Sequence, residues 1–106
     1  MGGQEPSPPR AIIRRIVKDM DMPTVSVFYG IIIRIYYDEH KPPHFHAYYQ
    51  GYSATFDFCG DIICGEIPPK QLKLIGAWAQ LRHDELDANW ALAEAKESLV
   101  WIDPLR

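Results

Sequence analysis

The pattern of apolar and polar positions divides the chain into a strand-rich half and a helix-rich half. From Val25 to Ile67, β-branched and aromatic residues are interrupted by turn formers. Such residues pack well on a pleated surface, so we predict an antiparallel β-meander of three to five strands. Its first strands fall at Val25–Tyr29 and Ile31–Tyr37. The double proline within residues 38–43 cannot sit in a central strand and predicts a loop.

The clearest element of this meander is a hairpin around Gln50-Gly51, a two-residue connection that places glycine where a positive φ is needed. Its predicted arms are His44–Tyr49 and Tyr52–Phe58. Because side chains alternate between the two faces of a strand, one face of the hairpin is wholly apolar and aromatic and forms core. The opposite face is polar, and its predicted cross-strand pairs are His44 with Asp57, His46 with Thr55, and Tyr48 with Ser53.

A last strand is predicted at Ile62–Ile67, after a turn at Gly60-Asp61. A two-residue turn would place Cys64 beside Asp57. A three-residue turn that includes Cys59 would shift this pairing by one residue. The length of the turn therefore decides which residue of the hairpin Cys64 faces.

Helical periodicity begins at Pro68-Pro69, because proline is accepted at the first position of a helix. One long helix, or two helices broken near Arg82–Asp84, would bury an apolar stripe, with Asp84 as the cap of the second helix. A short apolar tail, Leu99–Ile102, is predicted to dock on the domain. The fold class is therefore α+β: a small meander packed against one long or two consecutive C-terminal helices. The stripe comprises Leu72, Ile75, Ala79, Leu86, Trp90 and Ala93.

Composition limits the classes of protein that fit this pattern. At 106 residues with 47% hydrophobic content the chain can form one core, and we assign residues 22–106 to a single domain. Residues 1–21 are predicted to form a disordered leader and a short amphipathic basic arm. The 11 basic and 14 acidic side chains give a net charge of −3, which argues against nucleic acid as a partner. Two cysteines, no signal-peptide pattern and no long apolar stretch indicate a cytoplasmic protein without a membrane span.

Three of the four histidines lie within seven positions, at His40, His44 and His46. His44 and His46, two residues apart on a strand, project from the same face, which lets two imidazoles share one metal ion. We expect His40 to supply a third ligand from the loop. Asp57 would be a fourth ligand or a carboxylate that orients an imidazole, and Cys64 is a more distant option. The sequence therefore predicts a site for zinc or a similar divalent ion.

Two other interpretations of these residues stay open. In the structural one, His44 and Asp57 form an ordinary cross-strand hydrogen bond that holds the hairpin in register. In the catalytic one, a metal-bound water is activated for hydrolysis, with Glu39 or Asp38 as base. Arg34 is flanked by apolar residues and needs a partner; we favour a carboxylate over an anion bound beside the histidines.

Five motifs occur in order along the chain: MPTVS, FYGI, EHKPPHFH, GEIP and RHDELDANW. Over about residues 22–105 they resemble the motifs of the bacterial domain of unknown function DUF4160. The resemblance implies a small standalone bacterial protein that partners another small domain, in pairs reminiscent of toxin–antitoxin systems. It implies no reaction, and only His40, His44 and His46 correspond to its motif as candidate functional positions. The chain departs from the family at Cys64 and in the residues that precede Met22.

Together these observations predict a small cytoplasmic binding or regulatory module that works through its histidine face, either with a divalent metal on that face or without one. We expect a binding protein rather than an enzyme. The alternatives are a metal-dependent hydrolase that uses the histidine cluster and an antitoxin-like protein-interaction domain without metal. An exposed edge strand could also pair two copies of the chain into a homodimer.

Overall fold

The computed structural model describes residues 23–37 and 39–106, which form a five-stranded antiparallel sheet followed by two helices. The order of strands in the sheet follows their order in the chain, so the predicted α+β meander with two consecutive C-terminal helices is confirmed. The predicted leader and basic arm, residues 1–21, lie outside the described residues. The elements are β1 (Thr24–Phe28), β2 (Ile31–Arg34), β3 (His44–Tyr49), β4 (Tyr52–Asp57), β5 (Ile62–Glu66), α1 (Pro69–Leu81) and α2 (His83–Glu94).

The β3–β4 hairpin has the predicted register. Gln50 and Gly51 both adopt positive φ, at 44° and 87°, as a tight two-residue turn requires. His44 faces Asp57 and His46 faces Thr55 across the two strands. The alternate positions turn to the other side of the sheet and are buried, so this face contributes to the core. These buried positions are Phe45, Ala47, Ala54 and Phe56.

The turn before β5 has three residues, Cys59 among them, as in the second predicted alternative, but the register differs from the prediction, because Cys64 faces Thr55 and not Asp57. The backbone N–H of Asp57 donates to the carbonyl of Asp61, so three residues form the loop. The Asp57 carboxylate accepts hydrogen bonds from the N–H groups of Cys59 and Asp61, at 2.9 and 3.0 Å, and stabilises this wider turn. Without any irregularity this turn would place Cys64 opposite Ala54, but a register shift between Thr55 and Phe56 places it opposite Thr55.

Both helices place their apolar stripes on the buried face of the sheet. Trp78 of α1 is fully buried, with its ring 5.5 Å from Phe45 and 5.4 Å from Phe28 between centroids. The helices separate at Arg82, whose side chain makes no capping hydrogen bond. The prediction of Asp84 as the cap was wrong, since Asp84 lies inside the first turn of α2. Neither described helix is long and apolar enough to cross a membrane.

The C-terminal tail docks on the domain as predicted, with Leu99 and Ile102 buried. Asn89 of α2 anchors it: the side-chain amide donates to the carbonyl of Val100 and accepts from its N–H, both at 2.8 Å. Ile102 N–H donates to the carbonyl of Val25 at 2.8 Å, which brings the tail to the outer edge of β1. The tail therefore ties the last helix to the first strand.

Replacing Asn89 with alanine is expected to lower the free energy of unfolding by about 2–4 kcal/mol, because two backbone groups of Val100 lose their partners in a buried site. Amide hydrogen exchange at Val100 and Ile102 should accelerate at the same time. The Asn89→Asp variant keeps the acceptor for Val100 N–H but loses the donor, so it should weaken tail docking as well. Unchanged exchange at Val100 in Asn89→Ala would contradict this anchoring role.

Candidate metal centre

The polar face of the sheet carries a row of side chains that crosses all five strands. His46 occupies the middle strand of this row, and His44 lies two residues earlier on the same face. The helices cover the opposite face of the sheet, where Phe45 packs against Trp78. The row comprises Thr24, Arg34, His46, Thr55 and Cys64, each paired in register with the next.

The side chains of Glu39, His44 and His46 meet beside the start of β3. Glu39 Oε1 contacts His44 Nε2 directly and lies 3.3 Å from His46 Nε2. The two imidazole rings are 5.3 Å apart between centroids, at an interplanar angle of 77°. One potential ligand atom from each residue lies within 4.8 Å of the other two. We call these three residues the Glu39 cluster.

The imidazole of His44 is oriented by the loop before it. Its Nδ1 lies 2.8 Å from the carbonyl oxygen of Pro42, which can only accept, so Nδ1 donates this hydrogen bond. In the neutral ring the lone pair is then on Nε2, the atom that faces Glu39. A backbone acceptor on one nitrogen of a histidine is the usual arrangement around a protein metal site, because it fixes the tautomer and the direction of the other nitrogen.

The electrostatics of the Glu39 cluster favour an ionised carboxylate. Partial burial raises the pKa of Glu39, but hydrogen bonds from His44 and His46 and the charge of those rings outweigh it, so the pKa lies below its ordinary value. The side chains of His44, His46 and Glu39 are 13%, 21% and 30% exposed. The cluster is thus shielded enough for its charges to interact strongly, yet open to a small ion from solvent.

A cleft of about 270 Å³ adjoins the cluster. Glu39 belongs to both, and two aromatic walls of the cleft contact the histidines. The ring of Trp90 lies 5.3 Å from that of His44, and the ring of Tyr36 lies 4.8 Å from that of His46. The cleft is lined by Tyr36, Glu39, Trp90, Ala93, Glu94 and Lys96.

Comparison with protein families assigns the chain to one of them. The family model described as "Domain of unknown function (DUF4160)" matches residues 30–91, which is more than half of the chain. The chain belongs to the DUF4160 family. No curated protein and no solved structure matches it. The matched region includes β3 and most of α2, so the Glu39 cluster and its contact with Trp90 lie inside the DUF4160 domain.

The structure brings together some of the predicted site residues of this DUF4160 domain and not others. His44 and His46 converge, but His40 is exposed and outside the cluster, and its neighbour Glu39 takes the third position. Asp57 faces His44 in register, yet its carboxylate binds backbone N–H groups of the β4–β5 turn. Cys64 is exposed on β5 and does not join the cluster. Asp38, the alternative base, lies outside the described residues.

Arg34 does not pair with a described carboxylate, which was the partner we favoured, and makes other contacts. Its Nε donates to Thr24 Oγ1 at 3.2 Å, and its guanidinium carbon lies 5.3 Å from the centroid of the Tyr48 ring. Within residues 23–37 and 39–106, Arg34 forms no ion pair. Tyr48 in turn shares a 2.7 Å hydrogen bond with the hydroxyl of Tyr36. A polar chain therefore links Arg34 to the wall of the cleft.

Tyr48 should make the stability of the DUF4160 domain fall in alkaline solution. Burial, and then the hydrogen bond with Tyr36, raise the pKa of Tyr48 from 10.0 to about 12. The folded state favours the neutral phenol, so this contribution is complete below pH 10 and is lost as the pH rises toward 12. Between these values the free energy of unfolding should fall more steeply in the native protein than in Tyr48→Phe. Parallel pH profiles from denaturant titrations would contradict this assignment.

A second group with ligand atoms lies at the start of α2, where His83 Nδ1 is 3.4 Å from Asp87 Oδ2, with Asp84 nearby. Both carboxylates are exposed. An i, i+4 pair of this type is common on helix surfaces and contributes little to stability. We assign it no ligand, and His83 serves below as an internal reference.

Proposed function

We propose that this DUF4160 domain binds a divalent metal ion of the zinc type through Glu39, His44 and His46. The observation that carries the proposal is the convergence of two imidazole nitrogens and one carboxylate oxygen within 4.8 Å. Ligand bonds of about 2.0 Å in a tetrahedral site separate neighbouring ligand atoms by about 3.3 Å. The 3.3 Å between His46 Nε2 and Glu39 Oε1 matches that spacing, whereas His44 Nε2 lies closer to Glu39 Oε1 and would move outward to bind an ion.

The donor set narrows the choice of ion. Two imidazoles and one carboxylate suit zinc, cobalt, nickel and ferrous iron, whereas magnesium and calcium prefer oxygen ligands alone. The tautomer of His44 makes its nitrogen ligand available, since Pro42 holds the proton on Nδ1 and leaves Nε2 for the ion. A cation would occupy the place that a proton takes between Nε2 and Glu39 in the metal-free cluster.

The competing interpretation is that Glu39 only pairs with the two histidines and fixes the loop to β3. A zinc titration of metal-free protein distinguishes this interpretation from metal binding. The signals of the histidine rings are followed by NMR during the titration. We expect the signals of His44 and His46 to change until one equivalent is reached, and those of His40 and His83 to stay unchanged. No response at equimolar zinc, cobalt, nickel or ferrous iron would remove the metal proposal.

A metal-dependent hydrolase is the second candidate, and the cleft beside Glu39 is the observation that favours it. A zinc-type ion at this site would lower the pKa of a bound water enough for it to lose a proton at neutral pH, and the resulting hydroxide could attack an ester. Glu39 is engaged as a ligand in this proposal, so the base would be Glu94, the other carboxylate of the cleft. Zinc-loaded protein should then hydrolyse p-nitrophenyl acetate faster than its Glu94→Gln variant. Equal rates in the two would leave a binding protein.

A further inference from the structure

We infer that the cleft binds a small metal-chelating carboxylate, which completes the coordination of the ion held by the Glu39 cluster. This inference rests on the proposed metal site. Three protein ligands leave at least one position of a zinc-type ion open to an outside molecule. Residues of the cleft contact all three ligands: Glu39 is shared, Trp90 lies against His44, and Tyr36 lies against His46.

The size of the cleft sets the size of the ligand. Sites for drug-sized molecules measure about 300–1,000 Å³. At about 270 Å³ the cleft falls just below that range, so a molecule with one small ring or a short chain fits. Two of its walls are the aromatic rings of Tyr36 and Trp90, which favour a flat molecule.

The charge of the cleft depends on the metal. Glu39, Glu94 and Lys96 line it, and Lys41 Nζ lies 3.9 Å from Glu94 Oε2, so two ammonium groups balance the two carboxylates. A divalent ion then gives the cleft a net positive charge. An anion is therefore attracted more strongly to the loaded cleft than to the metal-free one. This gain of positive charge is the reason to expect a carboxylate rather than an amine.

One hydrogen-bond donor in the wall of the cleft lacks an acceptor. Trp90 is 6% exposed, and its buried indole Nε1 has no hydrogen-bond partner among the described residues. Buried donors of this kind are nearly always satisfied in native proteins, so an unpaired one points to a missing partner. The Nε1 atom is closed off from solvent, so we expect the Trp90 ring to turn toward the cleft and donate to the second oxygen of a metal-bound carboxylate.

The test uses zinc-loaded protein and two isomeric probes, picolinate and nicotinate. Both are flat anions of the same size, but only picolinate can chelate a metal through its carboxylate and ring nitrogen together. We expect picolinate to bind at one equivalent, at least about 10-fold more tightly than nicotinate, with a change in the indole N–H signal of Trp90. Metal-free protein should bind neither probe.

Two variants locate the probe. Trp90→Phe keeps a ring but removes the N–H donor, and should weaken picolinate binding to the zinc-loaded protein by about 5–10-fold. Lys96→Gln, which leaves the core and the ligands in place, should weaken it by a few-fold. Three results with protein that does bind zinc would overturn this inference but not the proposed metal site: picolinate does not bind, picolinate binds equally well without metal, or picolinate removes the zinc from the protein. Failure of zinc itself to bind would overturn both.

Discussion

Replacing His44 with alanine should weaken zinc binding by more than about 100-fold. Loss of a residue that only orients a ligand already costs about 10–100-fold in metal affinity, and His44 is proposed as a ligand itself. The variant should still fold, because His44 lies on the polar face and its side chain is not part of the buried core. Competition with a chromophoric chelator measures the affinity of each protein under the same conditions.

His40→Ala is the matched control for this experiment. It removes the same residue type from the same segment, but His40 is exposed and lies outside the Glu39 cluster. Zinc affinity should therefore stay within about two-fold of the native value, since weak exposed contacts contribute little. Equal losses in His40→Ala and His44→Ala would show that the geometry of the cluster does not determine binding.

Gly65→Ala should be among the most destabilising single changes in the sheet, lowering the free energy of unfolding by about 3 kcal/mol. Gly65 has a φ of +92°, and a Cβ there would lie 2.5 Å from the Ser53 carbonyl oxygen and 2.6 Å from Ala54 Cα. These atoms are backbone of β4, so no side-chain rotation can relieve the overlap. The change should also accelerate amide exchange between β4 and β5, where the strands must separate.

Gly51→Ala isolates the conformational part of that effect, and the difference between the two variants gives the steric part. Gly51 has a similar φ of +87°, but an added Cβ would meet no atom within 4 Å. Only the conformational penalty remains, so we expect a loss of about 1–2 kcal/mol. Urea unfolding of the two variants gives the comparison directly. A loss in Gly51→Ala as large as that in Gly65→Ala would contradict the close approach of β5 to β4.

The parts of the fold that depend on local sequence could be predicted from it. The β3–β4 register follows from the two-residue turn at Gln50-Gly51, because turn length and side-chain alternation together leave a single pairing. The register of β5 could not be predicted in the same way. It depends on the Asp57 side chain, which accepts two backbone hydrogen bonds and widens the next turn. Gly60 marks the position of this turn in the sequence, but it does not show the side-chain contact that sets where the loop begins and ends.

The candidate site could likewise be predicted only in part from the sequence. Strand periodicity correctly brings His44 and His46 together, since residues two apart share a face. The third member comes from a loop, where periodicity gives no direction, and we predicted His40 in place of Glu39. The path of the loop is set by its prolines and by the hydrogen bond from His44 to the Pro42 carbonyl. The prolines are visible in the sequence, but the hydrogen bond is a tertiary contact. The unpaired indole of Trp90 likewise becomes visible only once α2 is packed.

Synthesis on the ribosome delivers the strands in the order in which they pair, since each strand of the sheet is hydrogen-bonded to its neighbour in the sequence. Each hairpin can therefore close while the following segment is still being made. The bond between Ile102 and Val25 is different, because it joins the two ends of the described domain. Until Ile102 has emerged, the outer edge of β1 is open to strands of other nascent chains, so a stalled product that ends before Leu99 should be prone to aggregation.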